Sequence, residues 1–368
     1  PGPPAAARAP ARPRWRDLVA AYRLTKGKRG YLAKRPKTRT EYDSRIRTLD
    51  AWALDGELRL DQLDRQMVLD LKEALEQGSK YRCAALLRVL GILLQLAYNK
   101  GWIASNFAHK LDIETPPRRK RRILREHLPH LVEAAAELAM PHVELGILLG
   151  FYTMQREGDL LAATGFQIRP IDDVSTDARK ALTGQDGKVS GLWLQQAKTE
   201  TWVAVALAPW ARAPVEAAIA AGRAAGAACT HLILHPAEDR PCPDWRFQRD
   251  FRAVVSHAAA AAALRQDHDL ARILGGDPGK PRDAIQYRDL RRSGMCWLRE
   301  LRVPTPLIAS ISGHSIRETE DILETYMPRD TRAAAEGMAI AVARQAERDL
   351  AERLEQDPGS RSGTGGQG

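Results

Sequence analysis

Residues 287–326 read YRDLRRSGMCWLRELRVPTPLIASISGHSIRETEDILETY, and the fold is decided by this stretch. At its start, Tyr287-Arg288-Asp289-Leu290-Arg291-Arg292 opens a helix predicted over Tyr287–Leu301 and crowds two or three guanidinium groups into one turn. Like charges that close are unfavourable unless they serve an anion. A second helical pattern runs from Pro306 to Tyr326. Within it, Ser312-Gly313-His314-Ser315 reads as a new helix start, with His314 in the first turn. Tyr326 closes the pattern just before Met327-Pro328. Cations, an imidazole and a phenol therefore recur within forty residues.

Further candidates lie upstream. A helical pattern over Val143–Ala163 sets Arg156 and Asp159 three apart on one face, a spacing that by itself describes an ordinary surface ion pair. Lys198 falls between two strand-like runs, Gly191–Gln196 and Thr201–Leu207, where a hairpin turn is expected; alone it reads as a solvated lysine. Phosphodiester cleavage without a metal needs a nucleophile, cations for the non-bridging oxygens, and an acid for the leaving oxygen. This chain supplies candidates for all three.

The order Arg156, Lys198, Arg288-x-x-Arg291, Gly313-His314-Ser315, Tyr326 resembles the catalytic domain of the tyrosine recombinase, or phage integrase, family. The resemblance covers roughly residues 14 to 330, and Asn99-Lys-Gly-Trp-Ile-Ala-Ser-Asn106 is similar to the end of that family's core-binding domain. It implies that Arg156 and Arg291 clamp the scissile phosphate and that Lys198 protonates the leaving 5′ oxygen. By the same resemblance His314 bonds the phosphate or assists proton transfer, Tyr326 forms a 3′-phosphotyrosine, and Asp159 holds the arginines in place. A free tyrosine has a pKa near 10, so only about one in a thousand is ionised at pH 7; two arginines are expected to favour the phenolate. The covalent bond would conserve the phosphodiester energy, so neither a nucleotide nor any other cofactor is called for. Three positions depart from the family pattern. Arg288 stands where His is usual and would add charge rather than act as a base; Met154-Gln155 replaces the glycine ahead of the first arginine; Phe107 replaces a proline. No arm-binding unit is read ahead of Trp15.

The rest of the chain fits a multidomain reading. The fold class expected is an all-α N-terminal core-binding (SAM-like) bundle followed by a mixed α/β, mainly helical, catalytic domain. Residues 1–13 read as a basic tail or clipped end, 14–113 as the bundle, 114–123 as a linker, 124–330 as the catalytic domain, and 331–368 as a C-terminal helix (Ala333–Leu354) with a low-complexity tail. In the bundle, Trp15, Leu18, Val19 and Tyr22 share one face, Thr38 and Glu41 form a capping-box pattern, and later helices cover Arg65–Gln77 and Tyr81–Lys100. In the second domain, helices are expected over Leu128–Ala139, Pro209–Gly226 and Arg246–Leu264, with an extended segment at His231–His235. Cys229, His231, His235 and Cys242 lack tight ligand pairs, and no zinc site is expected. Among 368 residues, no apolar run of eighteen and no signal peptide is read.

The formal charge of +10 suits a polyanionic partner. Candidate DNA contacts are Lys37, Arg39, Arg45 and Arg47 on the second helix, Lys80 and Arg82 at the start of the fourth, and Arg119, Lys120 and Arg121 in the basic run after Pro116-Pro117. The resemblance implies double-stranded DNA with inverted-repeat core sites as the partner, four protomers on two duplexes, accessory DNA-bending proteins, and a bacterial cytoplasmic setting. Integration or excision of a prophage or other mobile element is the expected activity. A chromosome-dimer resolvase, a type IB topoisomerase and an inactive DNA-binding relative are the competing readings.

Overall fold

The structure is a computed structural model that describes residues 12–28, 30–114, 119–277, 279–280, 283–326, 338–339 and 341–349. The chain divides into two compact units between Arg119 and Lys120, inside the basic run. Arg118 and the two prolines before it lie outside the described residues, as does half of the terminal segment assigned to Ala333–Leu354, of which 338–339 and 341–349 are helical.

The first unit is all-helical: α1 (Trp15–Arg23), α2 (Pro36–Trp52), α3 (Arg65–Glu76) and α4 (Lys80–Asn99). Its core forms because apolar residues recur at helical spacing. Trp15, Leu18, Val19 and Tyr22 are buried on α1, and α4 buries Cys83, Leu86, Leu87, Val89, Leu90, Leu93, Leu94 and Ala97. By length and composition α4 could cross a membrane, but these residues instead face the unit's own core. Trp15 is fully buried, stacks edge-on against Trp52 and donates its indole N–H to Asp50 at 2.7 Å. Order extends ahead of α1, where the Pro13 carbonyl accepts from the Leu60 amide.

The expected Thr38–Glu41 capping box is corrected. α2 begins at Pro36, with Arg35 at its N-cap, so Thr38 already lies within the first turn. A proline at the first helical position needs no donor satisfied, which moves the start three residues earlier than the capping pattern suggests.

The second unit packs helices around a small antiparallel sheet: α5 (Leu128–Glu137), α6 (Pro141–Tyr152), α7 (Glu157–Leu161), β1 (Ile168–Pro170), α8 (Thr176–Leu182), β2 (Ser190–Gln195), β3 (Trp202–Ala206), α9 (Pro209–Ala224), α10 (Asp244–Leu264), α11 (His268–Gly275), α12 (Tyr287–Glu300), α13 (Thr305–Ser312) and α14 (Ile316–Tyr326). The strand order is β1-β2-β3, with Leu192 opposite Val205 and Leu194 opposite Val203, all four turned into the core. This is the mixed, mainly helical class that the sequence led us to expect. β1, α8 and α11 are short elements that the sequence reading passed over.

α6 is buried all round and sets the position of its neighbours. At Gly150 a Cβ would stand 2.6 Å from the Tyr287 hydroxyl, which instead donates to the Gly146 carbonyl at 2.6 Å. At Gly294 a Cβ would stand 2.0 Å from the Phe151 carbonyl oxygen. The two absent side chains let α12 lie directly on α6, and that contact fixes where Arg291 points.

Two predicted helices are each broken. Val143–Ala163 is interrupted after Tyr152 by a turn containing Met154 at φ 53°, and Arg156 becomes the N-cap of α7 rather than a mid-helix residue. Pro306–Tyr326 is interrupted at Gly313, whose φ of 70° is left-handed. His314 therefore precedes α14 instead of lying in its first turn, and the capping box there is Ser315 with Glu318: each amide is met by the other's side chain at 3.2 Å. In both cases apolar residues continue at helical spacing across the break, so periodicity alone does not reveal it.

Candidate active site

Three separated segments of the second unit meet at one buried side chain, Gln196, just past the end of β2. Its Oε1 accepts from Arg156 Nη1 at 2.6 Å and from the Thr199 hydroxyl at 3.0 Å. Its Nε2 donates to Gln155 Oε1 at 2.7 Å and to the Ser312 carbonyl at 2.8 Å. The same Ser312 carbonyl accepts from Arg291 Nη2 at 2.7 Å. Arg291 Nη2 also stands 3.2 Å from each ring nitrogen of His314. The broken helices thus serve the site: the turn at 153–156 places Arg156, and the turn at Gly313 brings His314 and the Ser312 carbonyl to Arg291 on α12.

The electrostatics leave this cluster short of negative charge. Arg291 is 9% exposed, its Nη1 is buried without a partner, and its pKa falls to about 9 through burial first and the Arg156 charge second. Asp159 offers partial compensation. Its Oδ1 accepts from the Ala197 amide at 2.9 Å, which pins the hairpin, while Oδ2 lies 3.9 Å from Arg156 Nη1. His314 is lowered to about 4 by burial, then by Arg291, Arg156 and Lys198, so its ring is neutral at pH 7. Lys198 is exposed at the turn between β2 and β3, close enough for its charge to act on His314. Two converging guanidiniums, a neutral imidazole and a nearby ammonium are a chemistry suited to an anion.

Tyr326 ends α14 with its ring partly buried beside Met154, Met295 and Cys296. Its hydroxyl accepts from Arg292 Nη1 at 2.8 Å, and the Arg292 guanidinium lies over the ring at 5.7 Å. Here the expectation about the phenol is corrected. Burial raises the Tyr326 pKa, and the leading cation that opposes the rise is Arg292 rather than the Arg156–Arg291 pair. Arg288 is exposed at the start of α12 and lines a cleft of about 380 Å³ with Glu157, Gln248, Arg252 and Gln286.

The remaining candidates are spread over both units. Lys37 and Arg47 are exposed on α2, Arg39 is half-buried, and Arg45 faces Glu41 at 3.4 Å. Lys80 pairs with Glu114 at 2.6 Å, and Arg82 is exposed. Lys120 is exposed and Arg119 half-buried, whereas Arg121 lies 3.9 Å from both Asp277 and Asp283. Sequence reasoning missed Gln155, Gln196 and Arg292. The first two are neutral amides without a motif of their own, and the third sits beside a more conspicuous arginine.

Scanned against known protein families the chain matches none, and no curated protein sequence matches it. Solved structures do. A lambda integrase tetramer bound to a Holliday junction superposes with a TM-score of 0.64 at 15% identity, over 87% of this chain and 80% of that one. The chain has the tyrosine-recombinase fold. The Tn1549 transposon integrase in complex with circular intermediate DNA has this fold too, with a TM-score of 0.60 at 15% identity, over 89% of this chain and 99% of that one. So does the XerH site-specific recombinase bound to a palindromic difH substrate, at 0.56 and 12%, over 83% and 80%. At such identities the tyrosine-recombinase fold is what is shared.

Proposed function

We propose that this protein is a site-specific DNA recombinase that cuts and rejoins strands through a 3′-phosphotyrosine at Tyr326. One observation carries the reading: Arg156 and Arg291, brought from different segments onto one polar network, leave a buried guanidinium nitrogen unpaired beside a neutral imidazole. A scissile phosphate supplies the negative charge this cluster lacks. The arginines hold its non-bridging oxygens and stabilise the pentacovalent transition state. The Tyr326 oxygen exchanges its Arg292 bond for phosphorus. The new P–O bond forms as the P–O5′ bond breaks, the phenol proton passes to an unprotonated acceptor such as His314, and Lys198 gives a proton to the leaving 5′ oxygen. Attack by a 5′-hydroxyl reverses each step and needs no nucleotide, because the phosphodiester energy is kept in the phosphotyrosine.

The similar solved chains are bound to a palindromic substrate, a circular intermediate and, as a tetramer, a Holliday junction. They support inverted-repeat core sites and four protomers on two duplexes for this protein. Its net charge of +10 is in keeping with such a partner. Integration or excision of a prophage or other mobile element in a bacterial cytoplasm, with DNA-bending accessory proteins, is the setting we propose.

Covalent capture tests the reading. Wild type and Tyr326→Phe are incubated with DNA flanking the gene, and SDS-stable adducts are sequenced. Adducts at one short inverted repeat, formed by wild type alone, are expected. Adducts spread evenly over the DNA would assign the chemistry to a topoisomerase, and DNA binding without adducts would assign the chain to a binding protein.

A further inference from the structure

We propose that Gln196 is the positioning residue for both arginines, with Gln155 as its anchor; the inference rests on the recombinase reading and deepens it. A side-chain amide has two N–H donors and an oxygen with two lone pairs. In Gln196, fully buried, all four are used: Arg156 and Thr199 on the oxygen, Gln155 and the Ser312 carbonyl on the nitrogen. The partners also fix which way round the amide lies, since a flip would turn its N–H groups toward a guanidinium and its oxygen toward a carbonyl.

The control of Arg156 is direct, and that of Arg291 runs through the Ser312 carbonyl that both groups share. Gln155, also fully buried, anchors the amide from behind by donating to the Thr153 carbonyl at 2.8 Å and the Ile311 carbonyl at 2.7 Å. The two glutamines thus join the first-arginine turn, the hairpin that carries Lys198, and the loop before His314. Gly313 completes the fit, because a Cβ there would stand 2.4 Å from Gln196 Nε2.

Neutrality is the point of using an amide. A carboxylate at this position would also hold Arg156, but it would cancel the charge the phosphate needs and compete with the phosphate for it. An amide orients the guanidinium and leaves its charge intact. Gln155, within the Met154-Gln155 departure ahead of Arg156, is thus part of the site's construction.

The test compares wild type, Gln196→Met and Gln196→Glu in single-turnover cleavage of a nicked duplex, with DNA affinity measured alongside. Misplacing a reacting group by an ångström costs on the order of 100-fold, so Gln196→Met is expected to cleave about 100-fold slower with affinity within about threefold. Gln196→Glu is expected to recover relative to wild type as pH falls from about 8 to about 5, where protonation makes the acid a neutral acceptor. A folded Gln196→Met that cleaves at the wild-type rate, or that loses affinity in proportion to rate, overturns the proposal. If Gln196→Met does not fold, Gln196→Glu decides; a flat ratio across pH, or failure of both to fold, overturns it. If wild type itself does not cleave, the recombinase reading fails separately. The positioning is then read from arginine side-chain ¹⁵N NMR: distinct Nη signals for Arg156 that coalesce in Gln196→Met support it, and unchanged signals overturn it.

Discussion

Replacing Arg291 with methionine should make the free protein more stable while destroying its activity. Arg291 is 9% exposed, its pKa falls to about 9 from the ordinary guanidinium range, and burial is the first cause. A base whose pKa is lower in the fold than in the unfolded chain destabilises the fold below its folded pKa. That penalty is present in full at neutral pH and is relieved as pH rises from about 9 toward the ordinary guanidinium pKa. A fall of that size corresponds to at most about 5 kcal/mol. Against this, the bond to the Ser312 carbonyl is lost, at about 1 kcal/mol, because Gln196 still satisfies that oxygen. Imperfect packing of the thioether takes a further 1–2 kcal/mol or so. The net gain should be about 1–3 kcal/mol, which for a unit of this size raises Tm by roughly 2–10 °C. Thermal unfolding followed by circular dichroism at pH 7.5 in low-salt chloride gives the comparison. Adding phosphate or sulfate should stabilise wild type and narrow the gap, since an anion supplies the missing counter-charge. An Arg291→Met protein that melts several degrees below wild type, or two proteins that respond equally to phosphate, would refute the reasoning.

Three other outcomes follow from the same geometry. His314 is lowered to about 4 in the fold, so the unfolded chain binds the extra proton between about pH 6.5 and 4; stability should fall with pH across that window, and His314→Gln should flatten the fall in urea titrations. Gly313→Ala forces a side chain to adopt a φ of 70° against Gln196 and should cost about 1–3 kcal/mol in chemical denaturation. Lys198→Met should slow cleavage of ordinary DNA by about 100-fold or more, but not cleavage of DNA whose leaving atom is a 5′ sulfur, which needs no acid; equal losses on both substrates would remove Lys198 from that role.

How much of this was legible in the sequence depended on what each residue contributes to periodicity or charge. The α1 stripe and the Leu-rich α4 show in the residue spacing because burial repeats every 3.6 residues. Arg291, His314 and Tyr326 stand out because charged and titratable groups at fixed offsets are rare without a purpose. The break at Met154 was hidden, since apolar residues continue in phase across that turn, whereas Ser312-Gly313-His314-Ser315 already marked a new helix start and only its offset from His314 was missed. Gln155 and Gln196 were hidden for another reason. A buried amide is recognisable only by its partners, and the distant ones here come from residues 40 to 156 positions away. The Tyr326 hydroxyl found Arg292 rather than its neighbour because α12 turns successive side chains about 100° apart.

The central claim is tested most directly by identifying the bond itself. Wild-type protein trapped on a nicked core-site duplex is digested with trypsin and nuclease, and the modified peptide is sequenced by mass spectrometry. The account predicts a single modified residue, Tyr326, carrying a nucleotide through its 3′ phosphate, with a free 5′-hydroxyl on the released strand. A nucleotide on another residue, a 5′ linkage, or an adduct that persists in Tyr326→Phe would contradict it.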